Sequence, residues 1–89
     1  MSYRLFKVSV LRRADWQCEV VGCDAECTSV HHLLKVSRYP EFREEPKNGL
    51  AICGGCHAEV ERREREGIPT DEMIPERRRL EAASLLEAT

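Results

Sequence analysis

Val30-His31-His32-Leu33, read together with Asn48-Gly49-Leu50-Ala51-Ile52-Cys53-Gly54-Gly55-Cys56-His57, holds three histidines, one asparagine and a cysteine pair. Thr28-Ser29-Val30 favours a short strand entering the histidine pair, and Gly49-Leu50-Ala51-Ile52 is a second short apolar strand. The second strand delivers Cys53 and Cys56 to a turn whose two central residues are glycine. A helix is expected from about Cys56 to Glu66, closed by Gly67, Ile68 and Pro69. Strand, strand and helix therefore follow one another, with histidines at both junctions. Neighbouring residues on a strand point to opposite faces, so His31 and His32 converge only where the strand ends or bends.

Upstream, Leu5 to Trp16 reads as a helix, with Leu5, Val8 and Leu11 three apart and basic residues between them; its expected role is to pack over the cysteine site. Cys18-Glu19-Val20-Val21-Gly22-Cys23 reads as a knuckle whose tight turn is allowed by Gly22. Leu33 to Lys47 is irregular and polar, interrupted by Pro40 and Pro46, and is expected to be a substrate-facing excursion. The charged residues from Glu59 to Glu66 read mostly as a solvated helix face with i,i+4 pairs. Beyond Gly67, Thr70 can cap a further helical piece that breaks or restarts at Pro75. Glu76 to Thr89 then reads as a helix with a narrow stripe of Leu80, Ala83 and Leu86, able to pack on the domain, to pair with a second copy, or to fray.

The whole chain has 89 residues, which suits one small domain. A core that thin is commonly supplemented by a disulfide or a metal. Five cysteines leave at least one outside any disulfide framework. Met1-Ser2-Tyr3-Arg4 has no apolar run, so neither a signal peptide nor a membrane span is expected, and a cytoplasmic protein with reduced, metal-binding thiols is. Net charge is −2, which permits a DNA partner without requiring one. Arg4, Lys7, Arg12 and Arg13 gather in residues 1–17, while nine of the sixteen acidic side chains lie from Glu59 onward.

Two constellations carry chemistry. Cys18, Cys23, Cys53 and Cys56 form two close pairs on two knuckles, the pattern of a structural tetrahedral zinc site. Zinc supplies about 10–16 kcal/mol in small peptides, whereas a core this small supplies roughly 3–5. Cys27, the fifth thiol, reads as a small packing residue, with replacement of Cys23 as a ligand the alternative. The second constellation is His31, His32, Asn48 and His57. His31 and His57 can share one divalent cation and leave its other positions to water and phosphate oxygens.

These residues resemble the HNH endonuclease family, whose core is the ββα-metal finger. The resemblance rests on Val30-His31-His32 and on Asn48 nine residues before His57, with Cys53-x2-Cys56-His57 closing the pattern and the Cys18/Cys23 pair preceding it. It covers about residues 10–66, leaving 67–89 as a C-terminal helical extension of a single nuclease domain over 1–89. It implies a small α+β fold with a structural zinc, flanked by N-terminal and C-terminal helices. His32 becomes the general base toward water, His31 and His57 ligands of a catalytic Mn²⁺ or Mg²⁺, and Asn48 the residue that orients the His32 loop. Many members carry Asp where His31 stands, and a second imidazole tilts the metal preference slightly to Mn²⁺. The implied activity is hydrolysis of DNA phosphodiester bonds, one strand per site, with a homodimer through the C-terminal helix as the route to cutting both.

A noncatalytic zinc-ribbon-like module that binds nucleic acid or protein is the competing reading; it explains the cysteines but gives His31, His32 and Asn48 no shared purpose. A zinc nucleobase deaminase fits less well, because its His-x-Glu precedes its cysteine pair and His57-Ala58-Glu59 follows one.

Overall fold

The computed structural model describes residues 2–87, so Met1 and the last two positions of the expected C-terminal helix, Ala88 and Thr89, lie outside it. Helix α1 (Tyr3–Arg13) is followed by strand β1 (Ser29–His32), strand β2 (Gly49–Ile52), helix α2 (Gly54–Glu66) and helix α3 (Glu76–Glu87). The strands pair antiparallel, Val30 opposite Ala51, His31 opposite Leu50 and His32 opposite Gly49. The result is a small α+β arrangement, as expected.

All four residues of β2 are buried, because the sheet is covered on both faces. Leu50 and Ile52 point to one side, into a cluster with Cys18, Val20, Val60 and Ile74. Ala51 points to the other, against Phe6, Val10, Leu11 and Cys27. The first helix therefore covers the sheet face opposite the main body of cysteines, and the expectation that it packs over the cysteine site is corrected. Its buried stripe is also rotated from the expected one: Phe6, Val10 and Leu11 go inward, while Leu5 is 57% exposed. A spacing of three through Leu5, Val8 and Leu11 drifts around a 3.6-residue turn, whereas Phe6 and Val10 stay on one side. Ser2 caps α1 by accepting from the Leu5 amide at 3.2 Å. The helix ends before Trp16 because Asp15 and Trp16 turn into the left-handed region, at φ 55° and 59°.

Gly49 shows why α1 can lie so close. A Cβ there would stand 2.5 Å from Val10 Cγ2 and 2.9 Å from Phe6 Cζ. Helix α2 starts earlier than expected, at Gly54, with the Cys53 thiol as its cap, and stops at Gly67, where φ is 71°. After it, Ile74 docks in the core and Met73 O accepts from the Val21 amide at 2.9 Å. Helix α3 packs on the domain through Ala82 rather than through the expected stripe, and Leu80 is 61% exposed. No helix among the described residues is long and apolar enough to cross a membrane.

Glu19 ties these layers together. Its amide donates to Ala51 O at 2.9 Å, and its Oε1 accepts from the Ala51 amide at 2.9 Å, closing the edge of β2 that β1 leaves open. Arg13 reaches the same oxygen at 2.6 Å from α1, and Arg78 reaches Oε2 at 2.8 Å from α3. Burial alone would raise the Glu19 pKa; the hydrogen bonds from Arg13, Ala51 and Arg78 outweigh it and hold the carboxyl below its ordinary value.

Two outcomes are expected. Gly49→Ala forces α1 away from the strand and lowers stability by ~1–3 kcal/mol in denaturant melts. Glu19→Gln costs ~1.5–3 kcal/mol near neutral pH. Because the folded pKa lies below the ordinary 4.5, the wild-type stabilisation is present above that value and lost as pH falls through the lower one. Thermal melts against pH should therefore show a steep acid limb in the wild type that is flatter in Glu19→Gln.

Candidate metal centre and histidine cavity

The sulfur atoms of Cys18, Cys23, Cys53 and Cys56 all lie within 4.8 Å of one another. Four thiolates held tetrahedrally at about 2.3 Å from a zinc ion stand ~3.8 Å apart. The Cys23 and Cys53 sulfurs are 3.9 Å apart. Local backbone turns build this arrangement. The Cys18 amide donates to Ala25 O at 2.7 Å, and the Cys23 amide folds back on Val20 O at 3.0 Å, across a left-handed Gly22. On the second knuckle the Cys56 amide points at Cys53 Sγ, at 3.5 Å.

The electrostatics ask for a cation. The Cys56 amide is the largest influence on Cys53 and holds its thiol down at about 7, whereas burial pushes Cys18 and Cys56 up. Four neighbouring thiols cannot all ionise against one another, and a divalent ion with thiolate affinity removes the conflict. The donor set and its spacing fit structural zinc. Cys27 stays outside this group: it is buried between α1 and the sheet, with Phe6 and Ala51, as the packing residue expected from the sequence.

The three histidines line a second, shallower cavity of about 330 Å³, together with Lys35, Ser37 and Glu64. His32 is the last residue of β1, and there the strand ends. His31 faces α2, where its ring meets His57 edge-on, centroids 5.4 Å apart and planes at 70°. Burial, reinforced by the charges of His57 and His32, lowers the His31 pKa to about 4, so this imidazole is neutral at pH 7. His57 sits in the first turn of α2, with Nε2 3.1 Å from Glu61 Oε1 one turn later.

His32 lies on the α1 side of the strand. Its ring stacks on Phe6 at 5.2 Å and 3°, and Tyr3 extends the stack at 6.1 Å. Nε2 is 2.9 Å from the Arg43 carbonyl oxygen. A carbonyl can only accept, which assigns the proton of the neutral ring to Nε2 and leaves the lone pair on Nδ1.

Asn48 is fully buried in the turn before β2. Its Oδ1 accepts from the Leu34 amide at 2.6 Å, and its Nδ2 donates to Leu34 O at 3.1 Å and to Phe42 O at 3.2 Å. It thereby closes the 33–47 loop, and the residue after Phe42 presents the carbonyl that holds His32. His31, His32 and His57 all border the cavity, but the two neighbouring rings do not converge: that of His31 turns to α2 and that of His32 to α1, with Asn48 beneath the loop and the four thiols in a separate cluster at the start of α2.

Comparison of the chain with protein-family models, with curated proteins and with solved structures gave no match. The site is therefore weighed on its own groups. A larger cavity, about 580 Å³, lies beside Trp16, Glu26, Ser29 and Gly54. Asp15 and Cys27 also border it, but it contains no histidine. Glu61 and the Tyr3–Phe6–Arg43 surroundings of His32 escaped the sequence reading. Glu61 had a signal, its i+4 spacing from His57; the shelf under His32 had none, because its parts come from distant segments.

Metal analysis should find one zinc per folded chain. Cys53→Ser should lose both the metal and the cooperative unfolding transition, as should prolonged chelation of the wild type. Cys27→Ala should retain the metal at full stoichiometry.

Proposed function

We propose that this chain is a metal-dependent nuclease of the HNH type, hydrolysing DNA phosphodiester bonds. The observation that carries the reading is His32: a ring fixed by stacking and by a backbone carbonyl, with its proton-accepting nitrogen left over, next in sequence to His31, whose ring meets that of His57. The order β1, β2, α2 is that of a ββα-metal finger, and the bonds from Asn48 suit a residue that orients the loop holding the base.

In this reading His32 Nδ1 takes the proton of the attacking water while Nε2 stays bonded to Arg43 O, so proton uptake requires no ring rotation. His31 and His57 would hold the cation through ring nitrogens. Two rings on one ion place their centroids roughly 5 Å apart, given metal–nitrogen distances of about 2.0–2.1 Å, and the observed 5.4 Å is compatible with that. Glu61 is placed to add a carboxylate oxygen after a side-chain rotation, which suits a hard ion. Bound there, Mg²⁺ or Mn²⁺ supplies Lewis-acid neutralisation of a nonbridging phosphate oxygen and of the leaving oxygen. One such site cuts one strand, so a monomer nicks and a paired assembly cuts both. The competing reading, a zinc-ribbon-like binding module, draws on the four-thiol cluster but leaves the His32–Arg43 bond without a use.

Zinc-loaded protein given Mg²⁺ or Mn²⁺ should nick supercoiled plasmid. His32→Ala should keep its zinc and melting temperature while losing roughly 10²–10⁴-fold in rate. Absence of nicking by folded wild type, or an undiminished rate in His32→Ala, excludes the reading.

A further inference from the structure

The loop that closes over His32 carries cations of a particular kind. Four arginines outside the loop are held by carboxylates at 2.6–3.0 Å: Arg13 and Arg78 on Glu19, Arg62 on Glu59 and Glu66 within α2, and Arg63 on Glu59 and Glu72. In the loop, Lys35 and Arg38 have no carboxylate partner among the described residues, and Arg43 comes no nearer to Glu44 than 3.9 Å. Its two guanidinium groups lie on aromatic faces instead. Arg43 Cζ is 4.4 Å from the centre of the Tyr3 ring, and Arg38 Cζ is 5.8 Å from that of Tyr39.

A guanidinium laid on a ring keeps its plane and leaves its N–H edge outward, which is the edge that grips a phosphate in bidentate fashion. Arg43 is the better placed of the two. Its carbonyl holds His32, and the ring beneath its guanidinium is the same Tyr3 that stacks on His32. One aromatic ring therefore separates this cation from the imidazole. Lys35 lines the histidine cavity itself.

We propose that Arg43, with Lys35 and Arg38 continuing along the same loop, forms a subsite for the backbone phosphates of a DNA strand flanking the one at the histidine cavity. The subsite deepens the nuclease reading and rests on it for the identity of the polyanion. It makes the 33–47 loop the element that feels substrate and holds the base at once. Glu41 and Glu44 on the same loop limit the attraction to phosphates that reach the guanidinium edges and keep the loop from being a general anion trap.

The test is fluorescence anisotropy of a fluorescein-labelled DNA duplex, titrated with zinc-loaded protein at several salt concentrations without Mg²⁺ or Mn²⁺. Arg43→Gln leaves the backbone carbonyl in place and removes only the cation. It should weaken binding about tenfold at low salt and reduce the slope of log K against log salt by about 0.9, one phosphate's worth. Arg43→Lys should recover the slope but only part of the affinity. Arg38→Gln and Lys35→Gln should each reduce the slope, by less than Arg43→Gln. Arg62→Gln, an equal change of net charge on α2, should leave the slope unchanged. A wild type that does not bind, an Arg43→Gln slope equal to wild type, or an equal effect of Arg62→Gln overturns the subsite. Plasmid nicking with an unchanged Arg43→Gln slope removes the subsite and leaves the nuclease reading standing. The expected slopes without any nicking remove the nuclease reading and leave a DNA-binding loop.

Discussion

Strand β2 has no face left for water. Leu50 and Ile52 are enclosed on one side by Val20, Val60 and Ile74, and Ala51 on the other by Phe6, Val10 and Leu11. Two strands alone are marginal in water, so this pair persists only as the middle layer between α1 and the cysteine–α2 body. Its outer edge would still leave Ala51 unpaired, and Glu19 closes it with both amide and carboxylate. The same carboxylate then anchors Arg13 and Arg78. A four-residue strand thus fixes where both flanking helices can sit.

The histidine cavity follows from what lies at the ends of that strand. Asn48 stands immediately before it and Cys53 immediately after. Through Asn48 the buried end of β2 anchors a loop whose own backbone bonds are mostly short-range turns, and through that loop it holds the carbonyl on His32. Through Cys53 the other end sets the first turn of α2 and hence the position of His57. The thiol cluster and the histidine cavity are chemically separate but share this one short lever. Loss of the cluster should therefore disturb the cavity, because apart from the thiols Val60 alone is buried from α2 against the strand.

Much of this was legible in the residues. Paired cysteines, a histidine doublet entering a loop, an asparagine before an apolar run, and a glycine–isoleucine–proline stop are local signals, and each lies where its spacing indicated. The parts that were not legible depend on partners distant in sequence. The buried face of α1 was obscured because Leu5 and Phe6 are both apolar, and the close approach of Phe6 and Val10 to Gly49 comes from a distant segment. Glu19 lies inside a knuckle, and nothing local marked its pairing with Arg78, 59 residues away. The inward face of α3 was hidden for a similar reason: its buried member is Ala82, whose small side chain packs closely, while the larger Leu80 faces out.

The different surroundings of His31 and His32 are a consequence of register. Strand alternation sends one ring toward α2 and the other toward α1, so the two adjacent imidazoles meet different surroundings: one desolvated against His57, the other laid on Phe6 and tied to a carbonyl. A slip of one residue would exchange them. What opposes the slip is Gly49, paired across from His32. With α1 lying where a Cβ would be, only glycine can occupy that register position, and any shift that moved Leu50 into it would drive a side chain into Val10 and Phe6. In the proposed reaction, then, the choice of which histidine binds metal and which accepts a proton is made by the one residue at the site with no side chain.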